Sequence, residues 1–120
     1  MGAGGIASCM ARTIAEMENV ERYAIGSRSL EKAEAFASEY GFARAYGSYE
    51  ELVRDENVDL VYIATPHSEH FENAKLCIAH GRPVLCEKAF TANAAQACEL
   101  LEMAEKAGVF ITEAIWVRYL

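Results

Sequence analysis

Five short stretches of this 120-residue chain bring together residue types that can do chemistry. The first is Gly2-x-Gly4-x-x-Ala7. Its first glycine permits a tight turn, and its second lets backbone approach a pyrophosphate. A small third residue lets the following helix pack closely on a strand. The amides at the start of that helix then face the anion. A tight turn with no ligand is the plainer reading of the same pattern. The second stretch is Ser27-Arg28-Ser29 with Lys32 one helical turn on. It falls about 20 residues after the glycines, where the group that reads an adenosine ribose belongs. A site for NAD wants a carboxylate there. A guanidinium, with the Ser27 hydroxyl and amide beside it, suits a 2′-phosphate and hence NADP. NAD stays open, and the plain alternative leaves Ser29 as a helix cap with Arg28 and Lys32 in water.

The third stretch is Ala64-Thr65-Pro66-His67-Ser68-Glu69-His70, directly after the strongest apolar run. Ligands in open α/β sheets bind outside the carboxyl ends of strands, which is where this loop falls. His67 and His70 stand at a spacing of three, as a metal pair can, but no third ligand is evident and no metal site is expected. Cys86-Glu87-Lys88 closes the next strand at the same rim. A lysine there can hold a substrate hydroxyl and assist its deprotonation, or it is a surface cation paired with Glu87. No base and orienter flank Cys86, so it is a poor nucleophile. The fifth stretch, residues 113–118, ends the last strand with Trp116 and Arg118. Trp116 suits either the core or the ligand-facing end.

The elements that must carry these loops alternate. Helical patterns over 6–17, 30–40, about 48–54, 68–80 and 93–106 separate apolar runs at 22–26, 43–46, 59–64, 83–86 and 109–115. Ser29, Ser48 and Asn93 stand as N-caps, Ser48 with Glu51 and Asn93 with Gln96 forming capping boxes. Gly41, Gly81 and Gly108 mark helix ends. Strands joined by helices imply right-handed crossovers and a doubly wound parallel sheet, an α/β fold. In such a dinucleotide-binding unit the glycine turn follows a central strand, yet only Met1 precedes Gly2. The expectation is that residues 1–120 are one dinucleotide-binding domain, lacking its first strand and cut from a longer chain at both ends.

Composition sets the outer bounds. Hydrophobic residues make up 52% and charged residues 24%, which is globular rather than disordered. A net charge of −7 argues against a nucleic-acid or anionic-membrane surface. No apolar run approaches the roughly 18 residues of a membrane span. Cys9, Cys77, Cys86 and Cys98 include no Cys-x-x-Cys pair, and most sit in apolar runs. Reduced core thiols in a cytoplasmic protein are expected.

Taken in order, the stretches SRSLEKAEAFA, ATPHSEH, CEKAF and ITEAIWVRYL resemble the nucleotide-binding half of the Gfo/Idh/MocA oxidoreductases. The branch most similar holds NADP-linked aldose and dihydrodiol dehydrogenases. The resemblance covers essentially the whole chain. It implies a Rossmann-type fold with a second, α+β substrate domain absent here. It also implies hydride transfer between NADP and a hydroxyl-bearing carbon of a sugar or cyclic diol. By the same resemblance, Gly2, Gly4, Gly5, Ile6 and Ala7 would hold the pyrophosphate, and Ser27 and Arg28 the 2′-phosphate, with Lys32 nearby. Thr65, Pro66, His67 and His70 would line the adenosine-to-ribose path. Glu87 would meet the nicotinamide ribose, Lys88 would be the catalytic lysine, and Trp116 and Arg118 would flank the cofactor. Assembly into a homo-oligomer through the second domain is implied too. Ala89 replaces the family's usual proline, so the loop is less rigid, and a cis bond there is costly. A dinucleotide-binding module without catalysis is the alternative reading, against which the retained Lys88 argues.

Overall fold

Short-range chemistry decides where most elements of this chain begin and end. The computed structural model describes residues 1–115, so Trp116 and Arg118 lie outside the described residues. The chain divides into two units, Met1–Val58 and Asp59 onward.

The first unit runs α1 (Gly5–Ala15), β1 (Ala24–Gly26), α2 (Leu30–Tyr40), β2 (Arg44–Tyr46) and α3 (Tyr49–Arg54). Ser29 Oγ accepts from the Lys32 amide and Ser48 Oγ from the Glu51 amide, so α2 and α3 start where the cap residues predict. Gly41 ends α2 at φ 74°, in the left-handed region. β1 and β2 pair in parallel, with Ala24 opposite Arg44 and Gly26 opposite Tyr46, and α2 supplies the crossover. Ile25, Ala33, Phe36, Leu52, Val53 and Val58 are buried. Gly26 is required by proximity, since a Cβ there would lie 2.9 Å from Leu52 Cδ2 and 3.1 Å from Leu52 Cβ.

Two tyrosines and a carboxylate tie the strand ends of this unit to α3. Asp55 Oδ2 accepts from the Tyr46 hydroxyl at 2.6 Å and the Tyr23 hydroxyl at 2.8 Å. Asp55 Oδ1 accepts from the Asn57 amide at 2.9 Å. The Tyr46 hydroxyl, with the Asn57 amide and Tyr23 behind it, lowers Asp55 from 3.8 to about 2. The same bond, with burial, raises Tyr46 from 10.0 to about 12. A depressed carboxylate stabilises the fold above its ordinary value and loses that contribution as the pH falls toward 2. A raised phenol contributes below pH 10 and loses its contribution as the pH climbs toward 12. Denaturant midpoints of the wild type should therefore fall more steeply between pH 4 and 2 than those of Asp55→Asn. Parallel acid limbs would overturn this.

The second unit runs β3 (Val61–Ile63), a 3₁₀ turn (His67–Glu69), α4 (His70–Ala79), β4 (Val84–Glu87), α5 (Ala94–Ala107) and β5 (Ile111–Ala114). Its three strands are parallel in the order β3-β4-β5, with Ile63, Cys86 and Glu113 in one register row. Asn93 Oδ1 accepts from the Gln96 amide, but Gln96 Oε1 reaches the Ala92 amide, one residue short of a reciprocal box. Val61, Ile63, Ala74, Cys77, Ile78, Val84, Cys86, Leu100 and Ala104 are buried.

Two expectations are refined. β1–β2 and β3–β4–β5 are separate parallel sheets. Two of the four cysteines, Cys9 and Cys98, are exposed rather than in the core. Both sit on outward helix positions, which a reading of apolar runs does not separate from inward ones. Burial first, then Glu113 and Glu87, pushes the Cys86 thiol up to about 12, and burial does the same for Cys77. No helix of the described residues is long and apolar enough to cross a membrane.

Candidate functional site

In the first unit the glycine turn delivers an unusual helix start. Gly2 has φ 91°, which only glycine adopts readily, and its amide donates to the Gly26 carbonyl at 2.9 Å. That bond fixes the turn against the end of β1. Gly4 is the N-cap residue of α1, and a Cβ on Gly4 or Gly5 would meet nothing within 4 Å. The helix start is therefore open. α1 has no side-chain cap and no acid in its first turn, whereas α2, α3 and α5 are capped by Ser29, Ser48 and Asn93. The first amide donating back is that of Ser8, to the Gly4 carbonyl. The amides of Gly5, Ile6 and Ala7 thus present donors and a positive dipole end to whatever anion arrives. Ala7 is buried, as the third small position requires, and Ile6 is exposed.

At the end of β1, Ser27 is buried and its amide donates to the Tyr46 carbonyl at 3.1 Å. This corrects the expectation that the Ser27 amide serves a phosphate, because the strand ladder already uses it. Ser27 Oγ accepts from the Ser29 amide at 3.3 Å, which leaves its own proton to donate. Arg28 and Lys32 are both exposed, and Gly26-Ser27-Arg28 carries no carboxylate. Both places in this unit present donors suited to an anion.

In the second unit the loop after β3 and the loop after β4 are joined by one ring. His70 is fully buried, with Nδ1 2.7 Å from the Ala89 carbonyl oxygen and Nε2 2.9 Å from the Thr65 carbonyl oxygen. A carbonyl oxygen only accepts, so a neutral ring donates to one of the two, and both ring nitrogens face backbone oxygens rather than a ligand. The expected place of His70 on a ligand path is corrected accordingly: it braces the loops. The His67 ring stands 5.4 Å from it, and His67 and Pro66 are exposed. Thr65 is buried, its hydroxyl accepting from Asn73 Nδ2 at 2.8 Å.

Glu87, closing β4, accepts the Tyr62 hydroxyl on Oε1 and the Lys88 amide on Oε2, the latter at 3.3 Å. A carboxylate has about four acceptor positions, so two remain. Lys88 itself is exposed. The Lys88–Ala89 peptide is cis. Phe90 donates its amide to Glu113 Oε2 at 2.7 Å. The sequence alone points to Thr65, Glu87 and Lys88 and assigns nothing to Tyr62, Asn73 or Glu113, which the structure places in hydrogen bonds with Glu87, Thr65 and the Phe90 amide. The available signal was a tyrosine and an acid in strands otherwise reading as buried.

Residues 1–115 match the family described as oxidoreductases with an NAD-binding Rossmann fold, Gfo/Idh/MocA. The chain is 42% identical over 121 residues to trans-1,2-dihydrobenzene-1,2-diol dehydrogenase of Mus musculus, covering 99% of this chain and 36% of that enzyme. It is 58% identical over 77 residues to D-xylose 1-dehydrogenase (NADP(+)) of Hypocrea jecorina, covering 64% of this chain and 20% of that enzyme. Among solved structures, a 3-ketoreductase from Actinomadura kijaniata in complex with NADP and TDP-benzene superposes with a TM-score of 0.88. Its identity is 29%, over 94% of this chain and 35% of that one. The chain spans 36% or less of each of these relatives. An open glycine-led helix start, a parallel βα order and a match over nearly the whole length converge: the chain belongs to the Gfo/Idh/MocA oxidoreductase family.

Proposed function

We propose that residues 1–120 form the cofactor-binding domain of a longer two-domain dehydrogenase, linked to NADP and acting on a hydroxyl-bearing carbon of a sugar or cyclic diol. The observation that carries this reading is the contrast in helix starts: among the described residues, α1 alone of the α-helices has neither a side-chain cap nor an acid in its first turn. Such an end is completed by an anion. The names of the relatives, a D-xylose dehydrogenase using NADP, a dihydrodiol dehydrogenase and a sugar-nucleotide ketoreductase, support the substrate class and the cofactor.

In this reading the amides of Gly5, Ile6 and Ala7, reached through Gly2 and Gly4, hold the pyrophosphate. Arg28, the Ser27 hydroxyl and Lys32 hold the 2′-phosphate. Thr65, Pro66 and His67, on the loop after β3 that His70 braces, serve the adenosine-to-ribose part, and the two remaining acceptor positions of Glu87 take a ribose hydroxyl. The same reading assigns Trp116 and Arg118, which lie outside the described residues, to the cofactor. A bound nicotinamide supplies the hydride acceptor or donor. Lys88 Nζ hydrogen-bonds the substrate oxygen and carries the proton that this oxygen loses on oxidation or gains on reduction. Assembly into a homo-oligomer through the second domain, and a cytoplasmic location, complete the proposal.

The test mixes the full-length protein with NADP+ and a panel containing D-xylose, other aldoses and trans-dihydrodiols, following reduced nicotinamide by absorbance. Turnover with at least one member is expected. Tight NADPH binding without turnover of any member would replace the enzyme by a non-catalytic binding module.

A further inference from the structure

We propose that Tyr62 and Glu113 are positioning residues for Lys88, fixing the loop that carries it from the two strands flanking β4. This rests on the reading of Lys88 as the proton-handling group. The loop after β4 is pinned on both sides of that lysine while the lysine side chain stays exposed. On one side the Tyr62 hydroxyl of β3 holds the Glu87 carboxylate. On the other the Glu113 carboxylate of β5 holds the Phe90 amide at 2.7 Å. The register explains why the two anchors act separately. Tyr62 pairs with Leu85, two residues before Glu87, so the Tyr62–Glu87 bond is a diagonal on one face of the sheet. Glu113 pairs with Cys86 and shares the other face, from which it reaches past the strand end to Phe90.

An amide at a strand end usually turns to solvent or to backbone. Here a charged oxygen takes it, and a charge-assisted bond of this length is among the stronger ones available to a loop. The packing of Cys86 favours the same conclusion. Its thiol is buried, sits 3.5 Å from the Glu87 carbonyl oxygen and 3.8 Å from that of Phe90, and so packs inside the bend that the two anchors close. Lys88 therefore leaves the sheet from a fixed backbone, and only its own side-chain rotations remain to be ordered on substrate binding. Misplacing a reacting group by about 1 Å can cost up to roughly 100-fold in rate, so holding its backbone has kinetic value.

The experiment uses the full-length protein, NADP+ and whichever sugar or diol of the panel it oxidises. Glu113→Ala should lower kcat about 10-fold, with the NADPH dissociation constant little changed. Glu113→Gln should restore most of the rate, because the amide oxygen still accepts from Phe90. Tyr62→Phe should also lower kcat, by freeing Glu87. Hydrogen exchange at the Phe90 amide should accelerate in Glu113→Ala and return toward wild type in Glu113→Gln, a readout independent of turnover. A Glu113→Ala protein with reduced melting temperature but wild-type kcat per folded molecule would overturn the proposal. If Glu113→Ala does not fold, wild-type kcat in Tyr62→Phe would overturn it instead. Loss of turnover in Lys88→Met alongside unaffected anchor variants would sink this inference alone. Wild-type turnover in Lys88→Met would sink the reading of Lys88 itself.

Discussion

Lys88→Met in the full-length protein should lower turnover about 100-fold or more while changing NADPH affinity much less. The expectation follows from what surrounds the side chain. Lys88 is exposed, and no bond of its ammonium to a neighbouring carboxylate ties it down among the described residues; only its backbone amide meets Glu87, at 3.3 Å. Removing the ammonium therefore takes away a proton carrier without leaving a buried partner unpaired, so stability should hardly move. Methionine keeps the length and most of the apolar stem. A single proton-transfer group contributes roughly 100- to 10,000-fold, and the lower end is the cautious expectation. Steady-state kinetics with the best substrate of the panel, beside a fluorescence titration of NADPH, separate the two effects. Retained turnover would return Lys88 to an ordinary surface cation.

Arg28→Ala should weaken NADPH binding by about 10- to 150-fold and leave NADH nearly untouched, the range given by one charge-assisted bond of roughly 1.5 to 3 kcal/mol. On the proposed reading this effect concentrates on Arg28. The Ser27 amide, a competing donor in the sequence reading, is bonded to the Tyr46 carbonyl at 3.1 Å. What remains is the Arg28 fork, the Ser27 hydroxyl proton and the Lys32 point charge. No carboxylate at the end of β1 repels a 2′-phosphate. Because Arg28 and Lys32 are exposed, the preference should shrink as salt rises. Titrating both cofactors into wild type and variant at low and moderate salt measures it. Equal wild-type affinity for the two would end the NADP assignment.

What could be read before the structure was whatever neighbouring residues decide among themselves. Ser29, Ser48 and Asn93 cap their helices where their side-chain chemistry says, and α2 keeps the expected bounds because Ser29 and Gly41 close both ends locally. Gly2 and the open start of α1 were readable for the same reason. Strand lengths were less so: the apolar run over 59–64 yields a strand of only Val61–Ile63, since pairing with Val84–Cys86 rather than hydrophobicity sets its limits. The anchors of the Lys88 loop were out of reach. Tyr62–Glu87 is a bond across 25 positions and Phe90–Glu113 across 23, and both depend on a strand register that no local pattern contains. The two carbonyls that His70 faces were out of reach for the same reason. His67 and His70 do stay ring neighbours across the 3₁₀ turn, but one of the carbonyls that buries His70, that of Ala89, lies 19 positions away.

The thiol beside the lysine has a practical consequence for anyone who wishes to watch this protein at work. Electrophilic labels react with thiolate, and a group held near 12 offers almost none at neutral pH. Maleimides and iodoacetamides will therefore sort the four cysteines by address, taking the exposed Cys9 and Cys98 and passing over Cys77 and Cys86. Cys9 lies on α1, one turn beyond the glycines, where Arg12 Nη2 approaches its sulfur at 3.4 Å. A dye placed there would report from α1, and one on Cys98 from α5, with the loop after β4 left unmodified.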